Sequence, residues 1–307
     1  MSSFISFIYR VRRWIYLFVA VVVLAIAAVV LYILFFSPEA RTARALQGIT
    51  LLSASSTPYT FGIFGPTPLP VPYPTSTTLL EYAQEGNTQA GIVSTLGIGI
   101  IKLFAPESKT FTTTSGHKAQ LSLSPKGTMI AYAEESRTST GSTTAYVAPI
   151  WHAHILDIAS GNDIDLGPGS SPQFFVQNGN TYLFFVAPTG LTVYDTAKHG
   201  SVTANYQNPA LQAYPPRISI DGKYLALPNP TTKLYSFYTV TKAVPWVAFS
   251  FLGTAPITLS DVMWRGASVY GISATPKESA LYAIDPKGKQ EASVLTSLRG
   301  TYRFLQP

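Results

Sequence analysis

The sequence predicts an all-β domain, a β-propeller of about six four-stranded blades, carried behind one N-terminal transmembrane helix. Three observations predict it. An unbroken apolar run, Trp14 to Phe36, follows the basic cluster Arg10, Arg12 and Arg13. Beyond it, short stretches rich in β-branched and aromatic residues alternate with Gly, Pro, Asn and Asp, the pattern of short strands joined by tight turns. A turn glycine followed by an apolar strand then recurs at Gly86, Gly127, Gly179, Gly222 and Gly266, at intervals of 41, 52, 43 and 44 residues. Periods of about 40–45 residues holding four strands are those of propeller blades.

The helix comes first. At about 1.5 Å per residue, the 23 residues from Trp14 to Phe36 cover the roughly 30 Å hydrocarbon core of a bilayer. The lipid bilayer is therefore an expected partner, through residues 14–36. Arginines beside a first spanning helix are retained on the cytoplasmic side. This predicts a cytoplasmic tail at 1–13, a signal anchor at 14–36, a linker at 37–46 and an extracytoplasmic propeller at 47–307, in a single-pass membrane protein. Arg41 and Arg44 behind the helix weaken the charge asymmetry, although Glu39 sits among them. The competing reading is a cleaved secretory signal, because Ala43-Arg44-Ala45 has the small-x-small form of a cleavage site; such signals carry apolar regions of about 7–15 residues.

Composition is interpreted on either side of that helix. Of the 21 basic and 15 acidic residues, Arg10, Arg12, Arg13, Arg41, Arg44 and Glu39 flank the membrane, leaving 16 against 14 for the rest of the chain. The basic excess is mostly a membrane flank, and no block of five or more Lys/Arg occurs, so no nucleic-acid partner is expected. The absence of cysteine excludes disulfides, thiolate catalysis and Cys-ligated zinc.

Within the repeats, Met129 to Tyr132, Tyr182 to Val186 and Leu191 to Tyr194 read as strands. Three units then show a strand ending in Asp before a turn glycine: Asp157 to Gly161, Asp195 to Gly200 and Asp285 to Gly288. These are expected to be third strands with their hairpin turns, the carboxylates capping the turns. Ser124-Pro125-Lys126-Gly127-Thr128-Met129-Ile130-Ala131-Tyr132 and, in part, Ile220-Asp221-Gly222-Lys223-Tyr224-Leu225-Ala226 resemble the TolB-type propeller repeat, a relative of the WD repeat, in which Ser-Pro-Asp-Gly precedes a strand of the type Ile-Ala-Tyr. Lys126 stands where that repeat has Asp. The resemblance implies architecture and a tendency to bind other proteins, and nothing catalytic.

Five full units run from about Thr77 to Ser297. Gly48 to Leu52, Tyr59 to Phe64 and the Pro-rich stretch Pro66 to Pro74 supply three further strands, and Thr301 to Leu305 stands where a first strand is due. Six blades closed by both ends of the domain use every segment and remove an exposed edge. The alternative is five blades with Arg41 to Thr75 as a proline-stiffened stalk.

No catalytic, cofactor or metal site is expected. His152 and His154 fall on one face of a strand and could begin a zinc or copper site. The plainer reading is a polar outward face, with Ala153 and Ile155 turned inward. The 52-residue interval contains an insertion, Glu134 to Val147, between the second and third strands of its blade. That loop, with Arg137, Trp151, His152, His154, Arg217, Trp264 and Arg265, is the candidate partner-binding face, because aromatics and arginines are enriched in interface hot spots. The function so indicated is a non-enzymatic, membrane-tethered scaffold binding an envelope protein. The alternative is an envelope hydrolase or lyase, or a glycan-binding propeller, with its site at the central channel and residues such as Asp261, Arg217 or His117.

Overall fold

The computed structural model describes residues 2–55, 57–62, 65–69, 78–95, 98–111, 116–136, 150–204, 215–229, 231–232, 234–242 and 248–305. Helix α1 spans Ser2–Phe36. Within it Trp14–Ile33 is long and apolar enough to cross a membrane, and its side chains are exposed on every side. A helix of this length, apolar all round, fits a membrane anchor or a signal segment. The expected linker is itself a short helix, α2 (Pro38–Leu46). Ser37 caps it, Oγ accepting the Ala40 N–H at 3.1 Å, and Pro38 takes the first turn, where a missing N–H is harmless.

The β-rich part begins with β1 (Thr50–Ser53), β2 (Pro58–Gly62) and β3 (Gly65–Pro68). Blade 2 is β4 (Thr78–Glu85), β5 (Thr88–Thr95), β6 (Ile98–Ala105) and β7 (Lys109–Phe111). Blade 3 is β8 (Lys118–Leu123), β9 (Met129–Ser136), β10 (Ile150–Asp157) and β11 (Asp163–Pro168). Blade 4 is β12 (Ser170–Gln177), β13 (Asn180–Ala187), β14 (Gly190–Asp195) and β15 (Gly200–Ala204). Blade 5 is β16 (Arg217–Ile218), β17 (Tyr224–Pro228), β18 (Tyr235–Lys242) and β19 (Ala248–Thr254). Blade 6 is β20 (Asp261–Arg265), β21 (Ser268–Ala274), β22 (Glu278–Ile284) and β23 (Ser293–Arg299). A last strand, β24 (Tyr302–Phe304), returns to β1, with Leu51 opposite Phe304 and Ser53 opposite Tyr302. The sheet orders are β24-β1-β2-β3 and five antiparallel meanders, giving six four-stranded blades in a ring. The five-blade alternative falls, because residues 50–68 are strands of blade 1 instead of a stalk; residues 70–77 lie outside the described residues.

The strands read as nearly continuous apolar runs because each interior blade is covered on both faces. In β13, Phe184 packs with Phe175, Leu191 and Leu225 toward blade 5, while Leu183 and Phe185 pack with Ala131, Ala153 and Ile155 toward blade 3. Ile130, Tyr132 and Leu156 turn the other way, onto Ala90, Ile92 and Leu103 of blade 2. Each such large buried side chain contributes on the order of 1.5–3 kcal/mol.

The five repeat glycines all sit in the turn between the first and second strands of their blades, at positive φ of 55° to 77°, a conformation that glycine alone adopts without a steric cost. In two of these turns a serine three residues earlier completes the device. Ser124 Oγ accepts the N–H groups of Thr128 and Met129, and Ser219 Oγ those of Lys223 and Tyr224, all at 2.9–3.1 Å. The turn at Ser219-Ile220-Asp221-Gly222 is thus a fuller copy of the one at Ser124 than the sequence suggests.

Candidate functional site

The six strands β4, β8, β12, β16, β20 and β24 stand at one end of their sheets and surround a central cavity of about 350 Å³. It lies toward their N-terminal ends, where the connections between blades and the β9–β10 connection arrive. A separate, smaller cavity of about 70 Å³ lies further along β12, β16, β20 and β24, lined by Phe174, Ile218, Val262 and Phe304 together with Gln173 and Arg217. The site is therefore a cup of mixed lining, with charged and polar side chains set among apolar ones.

Its walls carry two ion pairs. Arg217 donates to Asp261 Oδ1 through Nε at 2.9 Å and Nη2 at 2.8 Å. The side chains are 14% and 5% exposed. Asp261 also takes the N–H of Val262 on Oδ1 (2.9 Å) and that of Phe304 on Oδ2 (3.0 Å). Both of its oxygens are thereby committed, and one of them fastens the closing strand. On the neighbouring wall Arg303 Nη1 lies 2.8 Å from Glu81 Oε1, and its Nη2 donates to the carbonyl of Leu80 at 2.6 Å.

Three of the inner strands bulge where they face the cavity. Pairing slips between Leu79 and Glu81 in β4, between Ala119 and Ser122 in β8, and between Ser170 and Gln173 in β12. At the second and third of these, Gln120 (φ 61°) and Ser171 (φ 55°) adopt the left-handed conformation without being glycine, at a cost of about 1–3 kcal/mol each. They are tied together, Gln120 Oε1 accepting the Ser171 N–H at 2.6 Å. Ser171 is 3% exposed and its Oγ has no hydrogen-bond partner. Gln173, next on β12, is instead spent on the backbone, donating to the Pro216 carbonyl at 2.6 Å and accepting the Ile218 N–H at 3.1 Å.

The structure scatters the predicted binding residues. Arg217 lines the cavity. Trp151 and His152 are half-buried near the start of β10, at the same end of the strands as the cavity. Arg265 is exposed at the last position of β20, at the opposite end. Trp264 is a core residue, 8% exposed, stacked on Tyr224 at 5.0 Å and edge-on to Phe237. It cannot serve as a surface anchor there. Arg137 and residues 138–149 lie outside the described residues. Of the channel residues named from sequence, Asp261 and Arg217 meet in the cavity, while His117 is exposed and does not line it. Glu81, Gln120, Ser171 and Arg303 were not anticipated. Their signal, a polar residue inside a strand that becomes innermost, is legible only once the blades are counted.

The expectation that the two histidines form a polar outward face is corrected. His154 is 8% exposed because blade 2 covers this face of blade 3. It stacks on Tyr132 at 4.9 Å, with Nδ1 3.4 Å from Asp163 Oδ1, and Tyr132 donates to Asp163 Oδ2 at 2.6 Å. His152 Nδ1 lies 2.9 Å from Asp165 Oδ2. Lys118 and Glu134 complete the cluster, 3.6 Å apart. Burial holds the Lys118 pKa below its usual value despite Glu134. Among the described residues no group of three or more His, Cys, Asp or Glu could hold a metal ion.

Burial disfavours the His154 imidazolium, but Asp163, Asp165 and Glu134 more than offset it and raise the pKa above 6.5. A raised folded-state pKa contributes stability that is complete below the unfolded value and lost as pH rises through the folded one. The thermal midpoint is therefore expected to fall as pH climbs from about 6 through that value. His154→Gln should flatten this dependence, and an unchanged slope in the variant would refute the assignment. The three turn aspartates do cap: Asp157 Oδ1 accepts Ser160 N–H at 2.8 Å, Asp195 Oδ1 accepts Ala197 N–H at 2.9 Å, and Asp285 Oδ1 accepts Lys287 N–H at 3.0 Å. Those bonds hold the carboxyls of Asp157 and Asp285 below their ordinary pKa.

Fold and site together define a closed six-bladed propeller with a central cup that carries two ion pairs. The chain is similar in structure to TolB from Acinetobacter baumannii, with a TM-score of 0.53 at 13% identity over 84% of this chain and 66% of TolB, just under two thirds of that protein's length. It also aligns with the periplasmic gluconolactonase PpgL of Pseudomonas aeruginosa (TM-score 0.48, 16% identity, 81% and 79% of the two chains). The β-propeller domain of the trilobed protease from Pyrococcus furiosus aligns with a TM-score of 0.45 at 11% identity, over 72% of each chain. No family model matches the chain, and no curated protein matches it in sequence. At 13% identity the likeness to TolB is one of fold, and there it agrees with the resemblance carried by the Ser124 and Gly222 turns.

Proposed function

We propose that the protein is a single-pass membrane protein whose extracytoplasmic propeller is a non-enzymatic binding scaffold of the cell envelope, with the cavity end of the ring as its recognition face. The observation that carries this reading is the state of the ionisable groups in the cup. Asp261 and Glu81 each hold an arginine, Asp261 holds two backbone N–H groups as well, and no nucleophile–base pair lines the cavity among the described residues. Groups so engaged position a ligand; general acid–base catalysis needs one within reach of a proton to move. The basic cluster within α1, just ahead of its apolar stretch, supports an N-terminus on the cytoplasmic side, and a tether raises the scaffold's effective concentration at the membrane. The β9–β10 connection leaves β9 after Ser136 and re-enters at Ile150, beside the half-buried Trp151, which supports an envelope protein docking there.

Proximity crosslinking of the full-length protein in its native membrane tests this. An envelope protein should be captured reproducibly, and deletion of residues 137–144 should reduce its yield severalfold. Equal capture by the deletion variant, or capture of no protein, would overturn the reading.

A further inference from the structure

We infer that the central cup is a subsite for an uncharged, polyhydroxylated ligand, a neutral saccharide or the end unit of a neutral glycan. The inference rests on the reading above, that the cup binds and does not catalyse. Charge decides first. The walls carry two cations and two anions in pairs, Arg217 with Asp261 and Arg303 with Glu81. A charged ligand would have to draw one member away and leave a largely buried counter-charge behind, a strongly unfavourable exchange. A neutral ligand leaves both pairs standing.

Hydrogen-bonding capacity decides second. Ser171 is part of the cup wall; its Oγ is buried behind the cup surface and has no partner, which is unfavourable, and a rotation of the side chain toward the cup would let a ligand hydroxyl supply one. Its position depends on the left-handed backbone at Ser171 and on the bond from its N–H to Gln120 Oε1. With that oxygen engaged, the Gln120 carboxamide offers its Nε2 donors. The Arg303–Glu81 pair, with the arginine 47% exposed, offers further N–H donors beside a carboxylate acceptor. A hydroxyl both donates and accepts, so adjacent hydroxyls match this alternation where a cation or an anion matches only half of it. Tyr302, half-buried, lines the same cup and provides flat apolar ring surface for the C–H face of a sugar. At about 350 Å³ the cavity is at the small end of ligand sites, the size for one or two sugar units.

The test is saturation-transfer NMR and calorimetry on the full chain in detergent, with neutral hexoses, N-acetylhexosamines and their disaccharides against glucuronate and glucosamine. At least one neutral sugar is expected to bind, with the charged analogues about tenfold weaker. Ser171→Ala should weaken binding about fivefold, and Gln120→Glu, which sets a carboxylate where the amide donates, should abolish it with the thermal midpoint retained. Binding of none of the neutral sugars, preference for a charged one, or unaltered affinity in both variants would overturn the proposal. Release of a chemically altered sugar would overturn the non-catalytic reading and leave the ligand class standing, so the two failures are distinguishable.

Discussion

Asp261→Ala is expected to lower stability by about 3–5 kcal/mol, the usual result of removing one partner from a buried ion pair. Asp261 is 5% exposed and receives four donors: two from Arg217, one from Val262 and one from Phe304. Truncation leaves the Arg217 guanidinium with an uncompensated charge in a largely buried setting, and it removes an acceptor from the N–H of the strand that closes the ring. Urea unfolding of the full chain in detergent should show a lower midpoint with little change in slope. The double variant Asp261→Ala, Arg217→Met should recover part of the loss, because the stranded cation is gone. If the single variant unfolds at the wild-type midpoint, the pair does not hold the ring.

Deleting residues 301–307 is expected to have a larger effect, abolishing the cooperative transition. Phe304 and Leu305 are 4% and 3% exposed, and losing two such side chains costs roughly 5–10 kcal/mol, comparable to the 5–15 kcal/mol margin of a typical domain. The deletion also removes the partner of β1, baring Leu51 and Leu52 on an unpaired edge that invites association. Soluble aggregates and a broad, non-cooperative melt are the expected readouts. A sharp transition near the wild-type temperature would mean that blade 1 closes without β24.

The architecture was legible because it repeats. Gly86, Gly127, Gly179, Gly222 and Gly266 each require a left-handed backbone in the first hairpin of a blade, so five independent turns announced one period. Thr301 to Leu305 could be assigned to blade 1 because a ring leaves one vacancy for an inner strand, and β24 fills it. The site was only half legible. Arg217 and Asp261 could be named, but their pairing joins residues 44 positions apart in sequence, and no local pattern records that distance. Gln120 and Ser171 are harder still. Their left-handed φ values arise from bulges set by the partner strand, and neither residue type announces such a conformation. Trp264 and His154 were misplaced for a related reason. A strand pattern tells which residues share a face, but whether that face meets water depends on the neighbouring blade.

The pairing of Leu51 with Phe304 has a bearing on how the molecule is made. Blade 1 receives its inner strand only after every other blade has left the ribosome, so during synthesis β1 is paired with β2 alone and its other edge waits open. Blades 2 to 6 are hairpins of sequence neighbours and can form as they emerge; the last register joins the most distant residues of the domain and bears the greatest loop-closure entropy. Ring closure is thus the natural final and slow step of maturation. Until it occurs, the inner edge of β1 stands open, the interval in which such a chain is most exposed to proteases and mispairing and most in need of a chaperone.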